Sequence, residues 1–272
     1  MPRYRLLLEY DGAPFVGWQR QDNGPSVQEA LEEAVFRFAG ERIAAVAAGR
    51  TDAGVHARAM CVHVDLAKAW PADVVRDALN HHLKPAPVAA LEAALAPDGF
   101  HARFSATARA YEYRIVARRA PLALEAGRAW RLPGALDAAA MNAAARRLVG
   151  RHDFTTFRAA ACQAASPVKT LSEIAVSADG DRIRIFVRAP SFLHHQVRSI
   201  AGSLVEVGMG RWDADALADA LNARDRSRCG QVAPPHGLYF LWAEYGEGSG
   251  RNGGADRADQ GGDCNADEDQ PE

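Results

Sequence analysis

The chain has 272 residues, of which 48% are hydrophobic and 24% charged. That composition suits one large globular domain or two small ones and excludes wholesale disorder. The longest apolar runs, such as 43–48, fall far short of the roughly 18 residues a membrane helix needs, and Glu9 ends the short N-terminal patch Leu6 to Leu8, so neither a membrane span nor a secretory leader is expected.

The formal net charge of −2 hides an asymmetry. Residues 246–272 hold eight of the 34 acids but only two of the 32 Lys and Arg, which leaves 1–245 mildly basic. The bases are nearly all arginine, whose planar fork suits phosphates and base edges. This permits a nucleic-acid partner without requiring one. Cys61, Cys162, Cys229 and Cys264 are too scattered for a zinc or redox motif, and reduced thiols are expected.

Arg3 to Tyr10 reads as a strand. Ser26-Val27-Gln28-Glu29 is a capping box, and Leu31, Ala34, Val35 and Phe38 continue it as a helix up to Gly40. Met60, Val62, Val64 and Leu66 alternate with polar or smaller residues as a strand. Pro71 to Leu83 reads as a helix with proline at its start. Tyr111 to Val116 alternates as a strand, and Asp137 to Val149 is Ala-rich and helical. Asp179-Gly180 is a turn before a strand at Arg182 to Arg188. Phe192 to Val207 reads as a helix ended by Gly208, Asp213 to Asn222 as another, and Leu238 to Tyr245 as a last strand. Helix and strand alternate in a similar order before and after residue 105, so a mixed α/β or α+β fold with two similar halves is expected. Residues 246–272 have no large apolar side chain and read as a disordered acidic tail.

The most informative stretch is Gly49-Arg50-Thr51-Asp52-Ala53-Gly54-Val55-His56. Glycines bracket a short polar loop that presents Arg50, Asp52 and His56, and an arginine nearby favours an ionised carboxylate. Such an Asp is a candidate nucleophile or base. The same spacing also fits an ordinary Asx turn with a surface ion pair, and the residues alone do not decide between the two.

The wording of this loop resembles the catalytic motif of the pseudouridine synthase A family, which modifies transfer RNA. The resemblance extends to Glu9-Tyr10-Asp11-Gly12 with Phe15-Val16-Gly17-Trp18-Gln19-Arg20-Gln21, then to Phe100-His101-Ala102-Arg103-Phe104-Ser105-Ala106 followed by Tyr111-Glu112-Tyr113. It ends with Ser191-Phe192-Leu193-His194-His195-Gln196-Val197-Arg198 and Gly202-Ser203-Leu204. Ser199 stands where the family often has Asn. These ordered blocks cover nearly all of residues 9–245.

The resemblance implies isomerisation of uridine to pseudouridine in the anticodon stem-loop of tRNA, at positions 38, 39 and 40. It implies no cofactor, no metal and a cytoplasmic homodimer. The implied fold is a central mixed, largely antiparallel sheet built from two ferredoxin-like halves, 1–105 with the catalytic loop and 106–245, with Asp52 in a cleft between them. By the same resemblance Asp52 is the essential carboxylate. Tyr111 is the active-site tyrosine on which a flipped uracil stacks, although an alternating strand also suits a core tyrosine. Arg50 and Arg198 are expected to hold Asp52 ionised, with Arg50 also on the RNA backbone, and Arg20, Arg58 and Arg103 are further RNA contacts, with Arg109, Arg114, Arg118 and Arg119 as additional basic groups. Two rival readings are a catalytically silent RNA-binding protein of the same fold and a metal-dependent hydrolase using His194-His195. On a continuous helix, however, those two histidines would point apart.

Overall fold

A computed structural model describes residues 1–246. The acidic tail expected at 246–272 lies, apart from Gly246, outside the described residues. Among these, no helix is long and apolar enough to cross a membrane.

Strand β1 (Arg3–Tyr10) is followed by helix α1 (Val27–Ala39). The Ser26 hydroxyl accepts from the Glu29 N–H, so the capping box is made on its Ser side as the sequence predicts. Its buried stripe is Val27, Leu31, Ala34 and Val35. Then come β2 (Val46–Ala47), β3 (His56–Asp65), α2 (Ala72–His82) and β4 (Val88–Leu95). The second half runs β5 (Ala106–Ala117), β6 (Trp130–Leu132), α3 (Ala138–Ala145), β7 (Gly150–Asp153) and β8 (Val168–Leu171). It ends with β9 (Glu173–Asp179), β10 (Arg182–Ala189), α4 (Gln196–Gly208), α5 (Ala214–Ala223) and β11 (Leu238–Tyr245).

One nine-stranded sheet carries the order β4-β1-β3-β11-β5-β10-β9, with β2 beside β3 and β6 beside β5, and β7 and β8 pair separately. The pairings are antiparallel except β11 with β3 and β5 with β6. The expected mixed, largely antiparallel α/β architecture is therefore present. Within it, β4-β1-β3-β2 and β11-β5-β10-β9 repeat one permuted order, each strand set interleaved with helices, which is the ferredoxin-like pattern. The two sets are joined at the short parallel contact of Tyr239 and Phe240 with His56 and Ala57.

Two apolar clusters flank this seam. One is built mostly from residues 4–102 and borrows Phe240 and Ala243 from β11. The other is built mostly from 113–238 and borrows Val55. Val55 of the Asp52 loop and the last strand thus each bury side chains in the opposite half, and apolar burial of this kind is the main force fixing the halves together. Cys61, Cys162 and Cys229 are free thiols. Burial pushes the Cys61 thiol up to about 11, which leaves it unreactive.

Two helices differ in extent from expectation. The predicted helix from Phe192 starts only at Gln196, because His195 adopts a left-handed backbone, φ 62°, that no helix continues through. The Ala-rich helix predicted for 137–149 is also shorter: α3 tightens into a 3-10 turn at Arg146–Leu148.

Candidate active site

The Gly49–His56 loop is held from below by the segment after β1. The Trp18 N–H donates to the Thr51 carbonyl at 3.0 Å, the Gly54 N–H to that of Phe15 at 3.3 Å, and the Tyr10 and Thr51 hydroxyls bond at 2.9 Å. Gly17 and Asp52 form an isolated β-bridge. Gly17 has φ +121°, and a Cβ there would stand 2.7 Å from the Thr51 carbonyl oxygen, so only glycine allows the two segments to lie this close. The sequence block Phe15 to Gln21 therefore forms the floor of the Asp52 loop.

The Asp52 side chain is 28% exposed and lies where the two halves meet. Arg198, on the first turn of α4, places one guanidinium nitrogen 3.4 Å from a carboxylate oxygen, while its Nε donates to the Ala233 carbonyl at 2.8 Å. The Ala233 N–H in turn donates to the Arg198 carbonyl. This close approach of the 229–233 segment to α4 requires Gly202, whose Cβ would fall 1.5 Å from the Gln231 carbonyl oxygen. Of the two arginines expected on Asp52, only Arg198 is there. Arg50 is exposed and makes no ion pair among the described residues.

Both histidines also reach Asp52, with His194 Nε2 at 3.3 Å and His195 Nε2 at 3.4 Å, and their rings 4.1 Å apart. The sequence expectation that they diverge fails because they precede the helix instead of lying on it. A tight turn presents them. The Gln196 N–H donates to the Leu193 carbonyl, Gln196 Oε1 accepts from the Leu193 N–H at 2.8 Å, and the Ala159 N–H donates to the His194 carbonyl. Gln196 is thus a positioning residue, a role that its place in the motif does not reveal. Burial lowers the His195 pKa, partly offset by Asp52, so its imidazole favours the neutral form. Ser199 is buried, and its hydroxyl accepts from Arg226, away from Asp52.

Tyr111 and Tyr113 share one face of β5 but differ in surroundings. Tyr113 is fully buried and donates to the Pro234 carbonyl. Tyr111 is half-buried, gripped edge-on by Phe192 and Phe240, and its hydroxyl has no hydrogen-bond partner among the described residues. Burial, with the charge of Asp52 behind it, pushes this phenol above its ordinary pKa. It keeps its proton and can donate a hydrogen bond.

The remaining arginines divide. Arg58 and Arg103 are exposed without an acidic partner among the described residues. Arg20 faces Glu29 and Glu32 of α1 at 3.3 and 3.7 Å, so it is partly neutralised. Arg114 pairs with Glu112 and lies over the Tyr239 ring, and Arg118 pairs with Asp181. Arg109 is not a free basic group at all. It donates to the carbonyls of Ala48, Arg103, Ala106 and Pro190, tying the start of the Asp52 loop, the 101–106 turn and the approach to His194 to one side chain.

Ligand atoms of Asp52, His194 and His195 lie within 4.8 Å of one another, so these residues could hold a metal. Arg198, beside the same carboxylate oxygen as His195, places a fixed positive charge there that opposes a dication.

Comparison with known proteins shows the family. A family model described as tRNA pseudouridine synthase matches residues 7–105 and 144–246. The chain is similar to the tRNA pseudouridine synthase A of Rhodospirillum centenum, 62% identical over 246 residues, covering 90% of this chain and 100% of the relative. It is likewise similar to those of Maricaulis maris (59% over 245 residues) and Brucella ovis (60% over 247), each covering 90% of this chain and 98% of the relative.

Proposed function

The chain belongs to the tRNA pseudouridine synthase family, and on that premise we propose that Asp52 is the carboxylate through which it isomerises uridine to pseudouridine in tRNA. The reaction breaks the N1–C1′ bond, turns the uracil and joins C5 to C1′. C5 gives up a proton and N1 gains one. No group is added or removed, so a carboxylate, a proton donor and a water-poor pocket for a flipped base suffice. The observation that supports Asp52 is the convergence of Arg198, His194 and His195 on its two oxygens.

Asp52 can attack C1′ or uracil C6, or take a proton from the sugar. Arg198, paired with it at 3.4 Å, orients it. Tyr111 offers its ring to the extruded uracil and its hydroxyl as a donor. Arg50, Arg58 and Arg103 hold phosphates of the distorted strand, and Arg20 acts at the periphery. The substrate site is the anticodon stem-loop at positions 38, 39 and 40, read by shape and flexibility, since neighbouring uridines cannot share one base sequence. The enzyme acts in the cytoplasm as a homodimer, with units 1–105 and 106–245.

Replacing Asp52 with Asn and following tritium release from C5-labelled uridine in tRNA tests the assignment. Release should fall to background while tRNA binding persists. Wild-type release by the variant would overturn it.

A further inference from the structure

The 101–105 turn presents an aromatic ring to solvent from an unusually well-fixed backbone. Phe104 is 78% exposed. Yet the N–H groups of Arg103 and Phe104 both donate to His101 Nδ1 at 3.2 Å, and the N–H of Ala102 donates to Nδ1 of the buried His63 at 3.1 Å. The His101 N–H donates to the Ser105 hydroxyl and the Ser105 N–H to the His101 carbonyl. From the other side, Tyr245 donates its hydroxyl to the Ala102 carbonyl at 2.7 Å, and Arg109 donates to that of Arg103. A flexible loop tip with a stray apolar side chain would have few of these bonds.

The ring is also backed. His101 stacks under Phe104, centroids 4.4 Å apart at 29°, and the Arg103 guanidinium stands 5.8 Å from the ring centre. His101 covers one face of the ring, and most of the residue's surface stays open to solvent. His101 Nδ1 already accepts two backbone bonds, so the backing ring is locked in orientation.

The position of the turn selects its occupant. Arg109 bonds the turn to Ala48, four residues before Asp52, and to Pro190, four residues before His194. The turn that carries the ring is therefore tied to both segments that lead into the Asp52 site. Arg103 is beside it, and Arg50 follows the tied Ala48 by two residues; both are exposed and neither is paired with an acid among the described residues. Positive charge beside an exposed aromatic ring matches a nucleotide, whose phosphate and base need one of each.

We infer that Phe104 is a stacking platform for an unpaired base of the substrate tRNA next to the uridine being isomerised. The inference rests on the assignment of the Asp52 site and adds a contact that grips the strand beside the extruded nucleotide. The exposed ring takes the neighbouring base, Arg103 and Arg50 take the flanking phosphates, and Arg109 fixes the separation of the platform from Asp52.

The test uses tRNA carrying 2-aminopurine in place of each unpaired nucleotide flanking the target uridine, with the full-length enzyme. Wild-type binding should quench one of these probes. Phe104→Ala should lose that quench and bind tRNA about 5- to 150-fold more weakly, the range for losing one base–aromatic stack. Phe104→Trp should restore both, and thermal melting of both variants should match wild type because the ring is exposed. Unchanged quench and affinity in Phe104→Ala would overturn the inference. So would a changed sedimentation state, which would give this face to a second copy of the chain. Because the readout is binding, it is separable from the catalytic assignment: Asp52→Asn with wild-type tritium release would sink that assignment and leave the quench unaffected.

Discussion

Arg198 divides its guanidinium between Asp52, 3.4 Å away, and the Ala233 carbonyl, 2.8 Å from Nε. One donor holds the carboxylate, and the other anchors the guanidinium to the 229–233 segment that packs on α4. The side chain is only 13% exposed, so this split geometry is fixed by burial as well as by bonding.

A lysine lacks the forked, separated nitrogens with which Arg198 reaches both partners. Arg198→Lys should lower kcat by about 10- to 1000-fold, the range for losing a preorganised charge-assisted contact, with a smaller change in KM. Single-turnover tritium release measures it. A rate within two-fold of wild type would make Arg198 a packing residue.

Tyr111 is held by its ring and not by its hydroxyl, which has no partner among the described residues. Tyr111→Phe should therefore melt at the wild-type temperature and bind tRNA normally, while kcat drops by about 10²-fold or more, as expected when a positioned proton donor is lost. Equal losses of stability and turnover would give the hydroxyl a structural role.

Gly17→Ala introduces a methyl group 2.7 Å from the Thr51 carbonyl at φ +121°. The strain should cost about 1–3 kcal/mol, visible in urea unfolding, and should displace the Asp52 loop. Activity should fall further than the loss of folded protein accounts for.

The convergence of two histidines on Asp52 invites a direct metal test. With Arg198 opposing a dication, tritium release in excess EDTA should equal that without it. Abolished release, restored by zinc, would reassign the three side chains to a metal centre.

His63 is 4% exposed, and burial first, then Arg3 and His101, bring its pKa down to about 4, against the usual value near 6.5. The unfolded chain thus takes up this proton at a higher pH than the folded one. Stability is complete above about pH 6.5 and falls as the pH drops toward 4, where the folded form is protonated too. Because the neutral Nδ1 accepts the Ala102 N–H, the 101–105 turn should loosen along with it. His63→Gln should flatten the dependence of unfolding free energy on pH between 6.5 and 4.

The sequence discloses elements where pattern and punctuation agree. Ser26, Glu29 and Gly40 bracket α1, and alternation marks β1, β3, β10 and β11 within a few residues. It is silent on β4, whose Val-Ala-Ala-Leu-Glu-Ala-Ala-Leu has helix-forming composition and becomes a strand through pairing with β1. The Asp52 loop is legible as a phrase, but its partners are not. Nothing local distinguishes Arg198 from Arg50 as the ligand of Asp52, since the choice is made by tertiary packing across 146 residues. The histidine turn is hidden for the same reason: apolar spacing runs on past it, and the break comes from the left-handed backbone at His195. Arg109 looks like any basic residue near a motif, and only the fold turns it into a tie between three loops.

The order of strands has a bearing on biosynthesis. β11, the last strand described, lies between β3 and β5 and joins the two sheet halves. Emerging from the ribosome, residues 1–105 have β1 to β4 to pair among themselves, but Asp52 gains its histidines and Arg198 only after α4 has been translated, and the seam closes only with the final strand. A nascent chain therefore carries an isolated carboxylate with no assembled centre around it. The cluster around Asp52 is completed late, once the second half has followed the first.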